Sequence, residues 1–248
     1  MLRKNALKYA AVLVALLILW QLLSMALKLS FLPPPAKVIV NLFIRFLPEI
    51  SVHAVYSLWR VFAGIGLSML FGIPLGLGMG YFPRLDKFLS PVVYFTYPVP
   101  KIALLPLVML IFGLGEFSKI LMLTMIIVFH IIVAMRDAAL GIPKETFYTL
   151  VSLGAGTVKI IKKIVIPASL PGLFTSLRVS LGTALSVLFF TETFGTQHGM
   201  GYYIMDAWMR VDYTDMFTGI LVLSIIGLLL FILLDVAEST LCRWKTGG

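Results

Sequence analysis

Charge and cysteine are what this sequence has least of. Of its 248 residues only 12% are charged, against 60% hydrophobic, and the mean hydropathy is +1.03. Soluble domains carry about 25% charged and about 45–50% apolar residues, so a globular enzyme is excluded and an integral membrane protein is implied. The single cysteine, Cys242, excludes an intrachain disulfide and any multi-cysteine metal site. Catalytic sets are missing too. His53, His130 and His198 are far apart in the chain, and no paired-histidine ligand spacing, HExxH or GxSxG occurs. GAGTVK at Gly154–Lys159 is too short for a phosphate-binding loop and lacks the following Ser or Thr. The chain therefore has no P-loop route to ATP hydrolysis, and no cofactor or metal is expected on it. Acids are scarce as well, 11 against 20 Lys and Arg, for a net charge of +9. The excess invites a nucleic-acid reading. Its distribution excludes one, because the cations bunch beside apolar runs with no aromatic-interleaved basic face.

What is present is a series of membrane-length apolar runs. One all-α transmembrane domain, 1–248, is expected, with six spans at about 9–27, 58–79, 91–112, 117–134, 171–194 and 216–236. The first run exceeds the roughly 7–15 residues of a signal-peptide core, so it reads as a retained span. Pro33, Pro34 and Pro35 then stiffen an outer segment that leads into an interfacial helix, Lys37–Leu47, with Val38, Leu42 and Phe46 on one face. In the second span Gly64, Ser68, Gly72, Gly76 and Gly80 recur every fourth position, a small-residue stripe of the kind on which membrane helices pack. Tyr81–Ser90 reads as a turn. Pro91, Pro98, Pro100 and Pro106 break the third span, and such broken spans commonly line a path. Between the fifth and sixth spans, Tyr202, Tyr203, Trp208 and Tyr213 suit an interfacial belt.

Orientation follows from the cations. Arg3, Lys4, Lys8, Arg84, Lys87, Arg136, Lys144, Lys159, Lys162, Lys163, Arg178, Arg243 and Lys245 fall on the side read as inside. Only Lys28, Lys37, Arg45, Lys119 and Arg210 fall outside, while Arg60 and Lys101 lie within spans. Thirteen against five places both termini in the cytoplasm, and with them the long polar loop 137–170. That loop is longer than the roughly 2–8 residues a helix connection needs, so it reads as a docking surface. It offers two short helices parted by Gly154, Ala155 and Gly156. On the second helix, Lys159, Lys162 and Lys163 share one face, Val158, Ile161 and Val165 another, and Pro167 and Pro171 stop the segment. Among the ionisable groups at membrane depth, Arg60, Lys101, His130 and Glu192, each reads either as an anchor or interhelical hydrogen bond, or as a functional group. In the functional reading Arg60 and Lys101 bias a path toward anions.

At Gly154 the loop resembles that of bacterial ABC importer permeases. Their loop reads Glu-Ala-Ala, three residues, Gly, nine residues, Ile, one residue, Leu-Pro. Here nine residues follow Gly154, then Ile164, Val165, Ile166 and Pro167, while Tyr148, Thr149 and Leu150 stand at the Glu-Ala-Ala positions. LPPPAKV at Leu32–Val38, SLWRVFAG at Ser57–Gly64, GIPLGLGMG at Gly72–Gly80, YPVPKIALLPLVMLIFGLGEFSK at Tyr97–Lys119 and ETFGTQHGMGYYIMDAW at Glu192–Trp208 extend the likeness to the nitrate/sulfonate/taurine-type permeases over almost the whole chain. The resemblance implies a type I importer permease with six transmembrane helices and a cytoplasmic coupling helix, in a bacterial or archaeal cytoplasmic membrane. It implies a second permease copy, two ATPase subunits that bind the ATP and Mg, and a periplasmic or lipoprotein solute-binding protein. ATPase docking would fall to Lys144, Glu145, Tyr148, Thr149, Leu150, Ser152, Leu153, Gly154, Ala155, Lys159 and Pro167. A path for a small anion such as nitrate, sulfonate or taurine would include Arg60, Tyr97, Pro100, Lys101, Glu192 and Thr193. An autonomous carrier or channel is the alternative, and it would need no ATPase.

Overall fold

The computed structural model describes residues 2–27, 29 and 31–245, so Lys28 of the outer cations lies outside the described residues. Among these residues the regular structure is helical throughout. The main helices are α1 (Leu2–Leu27), α2 (Pro35–Arg45), α3 (Ser51–Tyr81), α4 (Pro83–Thr96), α5 (Leu105–Phe112), α6 (Glu116–Leu140), α7 (Glu145–Ser152), α8 (Thr157–Ile160), α9 (Ile166–Glu192), α10 (Met200–Met209) and α11 (Tyr213–Leu241). They form two compact units, 1–56 with 197–225 and 57–196 with 226–248.

Among the described residues four helical runs are long and apolar enough to cross a membrane: Pro35–Tyr81, Glu116–Leu140, Thr157–Glu192 and Tyr213–Leu241. Pro83–Thr96 and Lys101–Phe112 make a fifth if that pair, bent by 77°, is one span. The expected first span falls on α1, which adds a shorter apolar stretch, Val14–Leu27. Four or five spans by length and composition therefore stand where six were expected.

Helix continuity differs from expectation at three places, each time at a proline. The second span is not bounded near Leu58, because α2 runs into α3 through a π-turn at Phe46–Ile50, where Ser51 N–H bonds the Phe46 carbonyl. A wide turn of this kind accommodates Pro48, which has no N–H to give. The supposed turn Tyr81–Ser90 is mostly helix, since Pro83 opens α4 at a position where its missing donor costs nothing, and Pro91 is carried inside α4. Pro167 and Pro171 do not stop the loop segment either. A second π-turn, Ile161–Val165, joins α8 to α9, with Ile166 N–H bonding the Ile161 carbonyl just ahead of Pro167.

In the first unit the expected interfacial helix is α2, which starts at Pro35 and buries Val38. Leu42 is half-buried and Phe46 exposed, so that face is only partly covered. Asn41 Nδ2 donates to Asp215 Oδ1 (2.8 Å) and Thr218 Oγ1 (3.0 Å), and Arg45 Nε pairs with Asp215 (3.2 Å), which ties α2 to the start of α11.

In the second unit α6 is the central helix. It packs along α9, and Leu105, Val108 and Met109 of α5 cluster with its Met122. The small-residue stripe of α3 lies against it. A Cβ added at Gly64 would come within 2.7 Å of Leu123 Cβ, at Gly76 within 2.6 Å of the Ile132 carbonyl, and at Gly80 within 2.5 Å of Ala139 Cβ. At Gly72 the obstacle is Ile131. Ser68 Oγ donates to the Gly64 carbonyl (2.7 Å) and to the Thr124 carbonyl on α6 (3.2 Å). The close approach of two backbones is what requires the absence of side chains here.

Candidate functional site

The loop after α6 presents a largely exposed helix. Gly141 N–H closes α6 on the Asp137 carbonyl (2.9 Å), and the next turn starts at Pro143. Eight residues of α7 follow, none of them buried. Tyr148 is 62% exposed, Val151 55% and Leu153 74%, although the rest of the unit supplies ample apolar surface. An eight-residue helix is marginal without tertiary packing, so α7 leans on its ends.

Its C-terminal end is built with care. Gly154 has φ +69°, Gly154 N–H bonds the Val151 carbonyl (3.0 Å), and Ala155 N–H bonds the Leu150 carbonyl (2.9 Å). This is a Schellman cap, with glycine at the left-handed position that L side chains rarely adopt. Space is not the constraint, because a Cβ on Gly154 would meet nothing within 4 Å. The constraint is the backbone angle. Ser152 Oγ adds a hydrogen bond to the Tyr148 carbonyl (2.7 Å). Lys144 and Glu145 stand exposed at the first turn, with Thr149 exposed and Leu150 half-buried.

Beyond the cap, Lys159, Lys162 and Lys163 are all exposed. The apolar stripe differs from the expected Val158, Ile161 and Val165, since Val158 is 66% exposed while Ile160, Ile164 and Val165 are buried. After Ile160 the five-residue spacing of the π-turn brings both Ile164 and Val165 to the buried side. Pro167 is half-buried, inside the continuous helix.

The six residues expected along a path fall into two groups. Tyr97, Pro100 and Lys101 sit at the break between α4 and α5. Lys101 is only 8% exposed, and its Nζ donates to the carbonyls of Thr96 and Tyr97 (both 3.0 Å) and Val99 (3.5 Å). It also lies 4.6 Å from the centroid of the Phe129 ring. A cation at a helix C-terminus is favourable, and here it satisfies the carbonyls that the prolines leave open. Its hydrogen-bonding capacity is spent on the break itself. Tyr97 is exposed and meets His130 edge-on, with centroids 5.5 Å apart.

The second group is a charged knot. Arg60 and Glu192 are both fully buried, with Nη1 to Oε1 at 2.7 Å. Glu116, at the first turn of α6, takes the other edge of the guanidinium through Nε (2.7 Å) and Nη2 (2.5 Å). Ser57 Oγ donates to Glu192, at 2.8 and 2.9 Å from its two oxygens. Arg60 thus joins α3, α6 and α9, and two carboxylates cancel its charge. Thr193 turns inward on its own helix, its Oγ1 donating to the Phe190 carbonyl (2.7 Å). Lys119 is buried too, and its Nζ bonds the Leu114 and Gly115 carbonyls (2.5 and 3.2 Å).

Glu116, Ser57 and Asp86 make polar contacts that sequence reasoning passed over. Asp86 accepts from Arg136 Nε (2.5 Å) and Nη2 (3.0 Å) and from Ser90 Oγ (2.7 Å). The available signal was an acid beside a span end with a span arginine still unpartnered. Among the described residues no group of three or more His, Cys, Asp or Glu could hold a metal ion.

Residues 68–241 match the family described as "Binding-protein-dependent transport system inner membrane component". The taurine transport system permease protein TauC of Escherichia coli (strain K12) is 30% identical over 220 residues, covering 86% of this chain and 80% of its own. The putative aliphatic sulfonates transport permease protein SsuC of Bacillus subtilis (strain 168) is 29% identical over 217 residues, covering 87% and 79%. The formylaminopyrimidine transport permease protein ThiX of Halalkalibacterium halodurans is 26% identical over 234 residues, covering 93% and 92%. Among solved structures, one described as an inward facing conformation of the MetNI methionine ABC transporter shares the fold. Its TM-score is 0.68 at 22% identity, over 77% of this chain and 95% of that one.

Proposed function

The chain belongs to the family of binding-protein-dependent transport system inner membrane components, and from that premise we propose that it is the solute-conducting subunit of an ATP-driven importer for a small organic anion. A separate ATPase subunit holds the ATP and Mg, a solute-binding protein delivers the cargo, and a second copy of the chain completes the path. Both termini and the 137–170 loop face the cytoplasm. The names of TauC and SsuC favour a sulfonate-type cargo, while that of ThiX shows that relatives are named for other solutes as well.

One observation carries the reading. α7 is a short, well-capped helix with no fully buried residue, and it leaves Tyr148 and Val151, with Leu153 at its cap, exposed. A cleft in the ATPase accounts for that exposed face, and the rigid cap at Gly154 lets a push on α7 reach α8 and α9 without dissipating in a soft joint. ATP binding then biases one arrangement of the spans and hydrolysis the other.

The experiment is reconstitution of the permease with its ATPase and binding protein in vesicles. Uptake should require ATP and the ATPase, and Gly154→Val should leave ATP hydrolysis running while uptake falls. Uptake at full rate with no ATPase present would establish an autonomous carrier and end the importer reading.

A further inference from the structure

Two cavities of opposite character lie end to end where α1 meets α11, within the first unit. One, of about 400 Å³, is walled by Leu16, Leu19 and Leu23 of α1 and by Phe217, Ile220 and Leu221 of α11. The hydroxyl at its edge, Ser224 Oγ, is spent on the Ile220 carbonyl at 2.8 Å. The other, of about 390 Å³, is polar. Gln21 and Ser24 reach it from α1, Lys37 from α2 and Thr214 from the first turn of α11. Leu32 lines both cavities, and Ser24 Oγ holds it in place by donating to the Leu32 carbonyl (2.8 Å).

The groove has the length and the polarity profile of one bilayer leaflet. At a rise of about 1.5 Å per residue, Leu16 to Met25 along α1 is about 14 Å and Thr214 to Ser224 along α11 about 15 Å. Half of a hydrocarbon core about 30 Å thick is about 15 Å. Both helices place their polar residues at the same end, since Gln21 and Ser24 come late in the groove on α1 and Thr214 early on α11. That end supplies donors and no carboxylate. Lys37 is exposed, Gln21 and Thr214 are half-buried, and none of these three side chains has a partner among the described residues. The acids next to Thr214 in the chain are engaged elsewhere. Asp212 Oδ1 accepts Asp215 N–H (3.0 Å), and Asp215 Oδ1 accepts from Asn41 (2.8 Å) and Arg45 (3.2 Å). An amide such as that of Gln21 is costly to leave unpaired at the edge of the hydrocarbon. A hydrocarbon chain alone leaves these donors unmet, and a polar solute alone leaves the apolar half empty. A molecule with both parts meets both needs.

We propose that this groove is a binding site for one membrane phospholipid. Its phosphodiester and ester oxygens accept from Lys37, Gln21 and Thr214, and one acyl chain lies between Leu16, Leu19 and Leu23 on one side and Phe217 and Leu221 on the other. The phosphodiester is common to bilayer phospholipids, so the site reads the junction of head and chain and not the net charge of the lipid. Its occupant belongs to the outer leaflet, a placement that follows from the charge asymmetry and not from the groove.

The test is native mass spectrometry of the full-length permease transferred from dioleoylphosphatidylcholine nanodiscs into maltoside detergent. One phospholipid per copy should survive activation that strips the others. Leu221→Trp, which fills the apolar cavity, should lose it, and Leu229→Trp, at an exposed position further along α11, should keep it. In detergent, dioctanoylphosphatidylcholine should bind saturably, and Gln21→Leu with Lys37→Gln should weaken it about tenfold. Neither dioctanoylglycerol, which lacks the phosphodiester, nor sn-glycero-3-phosphocholine, which lacks the chains, should compete at equal concentration. No retained lipid, or equal retention in Leu221→Trp, would show only a general lipid coat and overturn the proposal. So would unchanged affinity in the Gln21 and Lys37 double variant, or competition by either fragment as strong as by the whole lipid. Should Leu221→Trp fail to fold, the three-way competition on the wild-type protein still decides. None of these readouts involves ATP or transport, so the importer reading stands or falls separately.

Discussion

Arg60 and Lys101 are the two basic residues that stand out inside the apolar runs, and the structure gives both of them structural partners. Arg60 has carboxylates 56 and 132 positions along the chain, distances at which no sequence periodicity points to a partner. Replacing it by leucine takes from the fully buried Glu192 the guanidinium that pairs with it at 2.7 Å. A buried charge stripped of its counter-ion costs about 3–5 kcal/mol, so Arg60→Leu should lower the unfolding midpoint of the purified protein sharply. The double variant Arg60→Leu with Glu192→Leu should recover much of the loss, because the isolated buried charge is then gone. A single variant as stable as the wild type would show that the knot does not hold the helices. Lys101→Met should cost about 1–3 kcal/mol by leaving the Thr96 and Tyr97 carbonyls unsatisfied. It should also broaden the distance distribution between spin labels at Phe88 and Leu110, on either side of the 77° bend. That an ionisable group at membrane depth matters was legible in sequence. That its partners are backbone carbonyls was not, since carbonyls carry no residue signature.

Helices and their joints were legible wherever spacing alone decides. The fourfold recurrence of small residues in α3 marks the face that abuts α6, and the break of the third span lies where its prolines crowd together. Helix ends were misread where a proline was taken as a stop. Pro167 and Pro171 both lie within a continuing helix, Pro167 just after a wide turn. Nothing in residue type alone announces such a turn. Gly80→Val should disrupt the α3–α6 contact, since its Cβ would collide with Ala139 and with the Arg136 backbone, at a cost of about 1–3 kcal/mol readable by thermal unfolding. Gly154 calls for a different test. Because its angle and not its space is the constraint, Gly154→Asn, which tolerates a left-handed backbone, should keep ATP-driven uptake near normal while Gly154→Val loses it. Equal uptake in both variants would remove the cap from the coupling argument.

For the whole molecule, length and hydropathy gave the class, and the family match agrees with it. The count of spans was less legible, because a run such as Pro35–Tyr81 joins an interfacial helix to a spanning one without a composition change that marks the join. Orientation rests on the thirteen-to-five charge asymmetry and has a direct test. The native Cys242 is 1% exposed, which leaves a quiet background for thiol labelling. A cysteine at Lys162 should react with a membrane-impermeant maleimide in inside-out vesicles and stay unlabelled in right-side-out ones, and the opposite pattern would invert the topology. The exposed face of α7 has a last consequence for how its order is kept. Eight residues, none of them fully buried, should exchange their amide protons quickly when alone, and slowly once a partner covers them. Deuterium uptake across Glu145–Ser152 would then serve as an occupancy gauge, reading out engagement of the engine without any transport being measured.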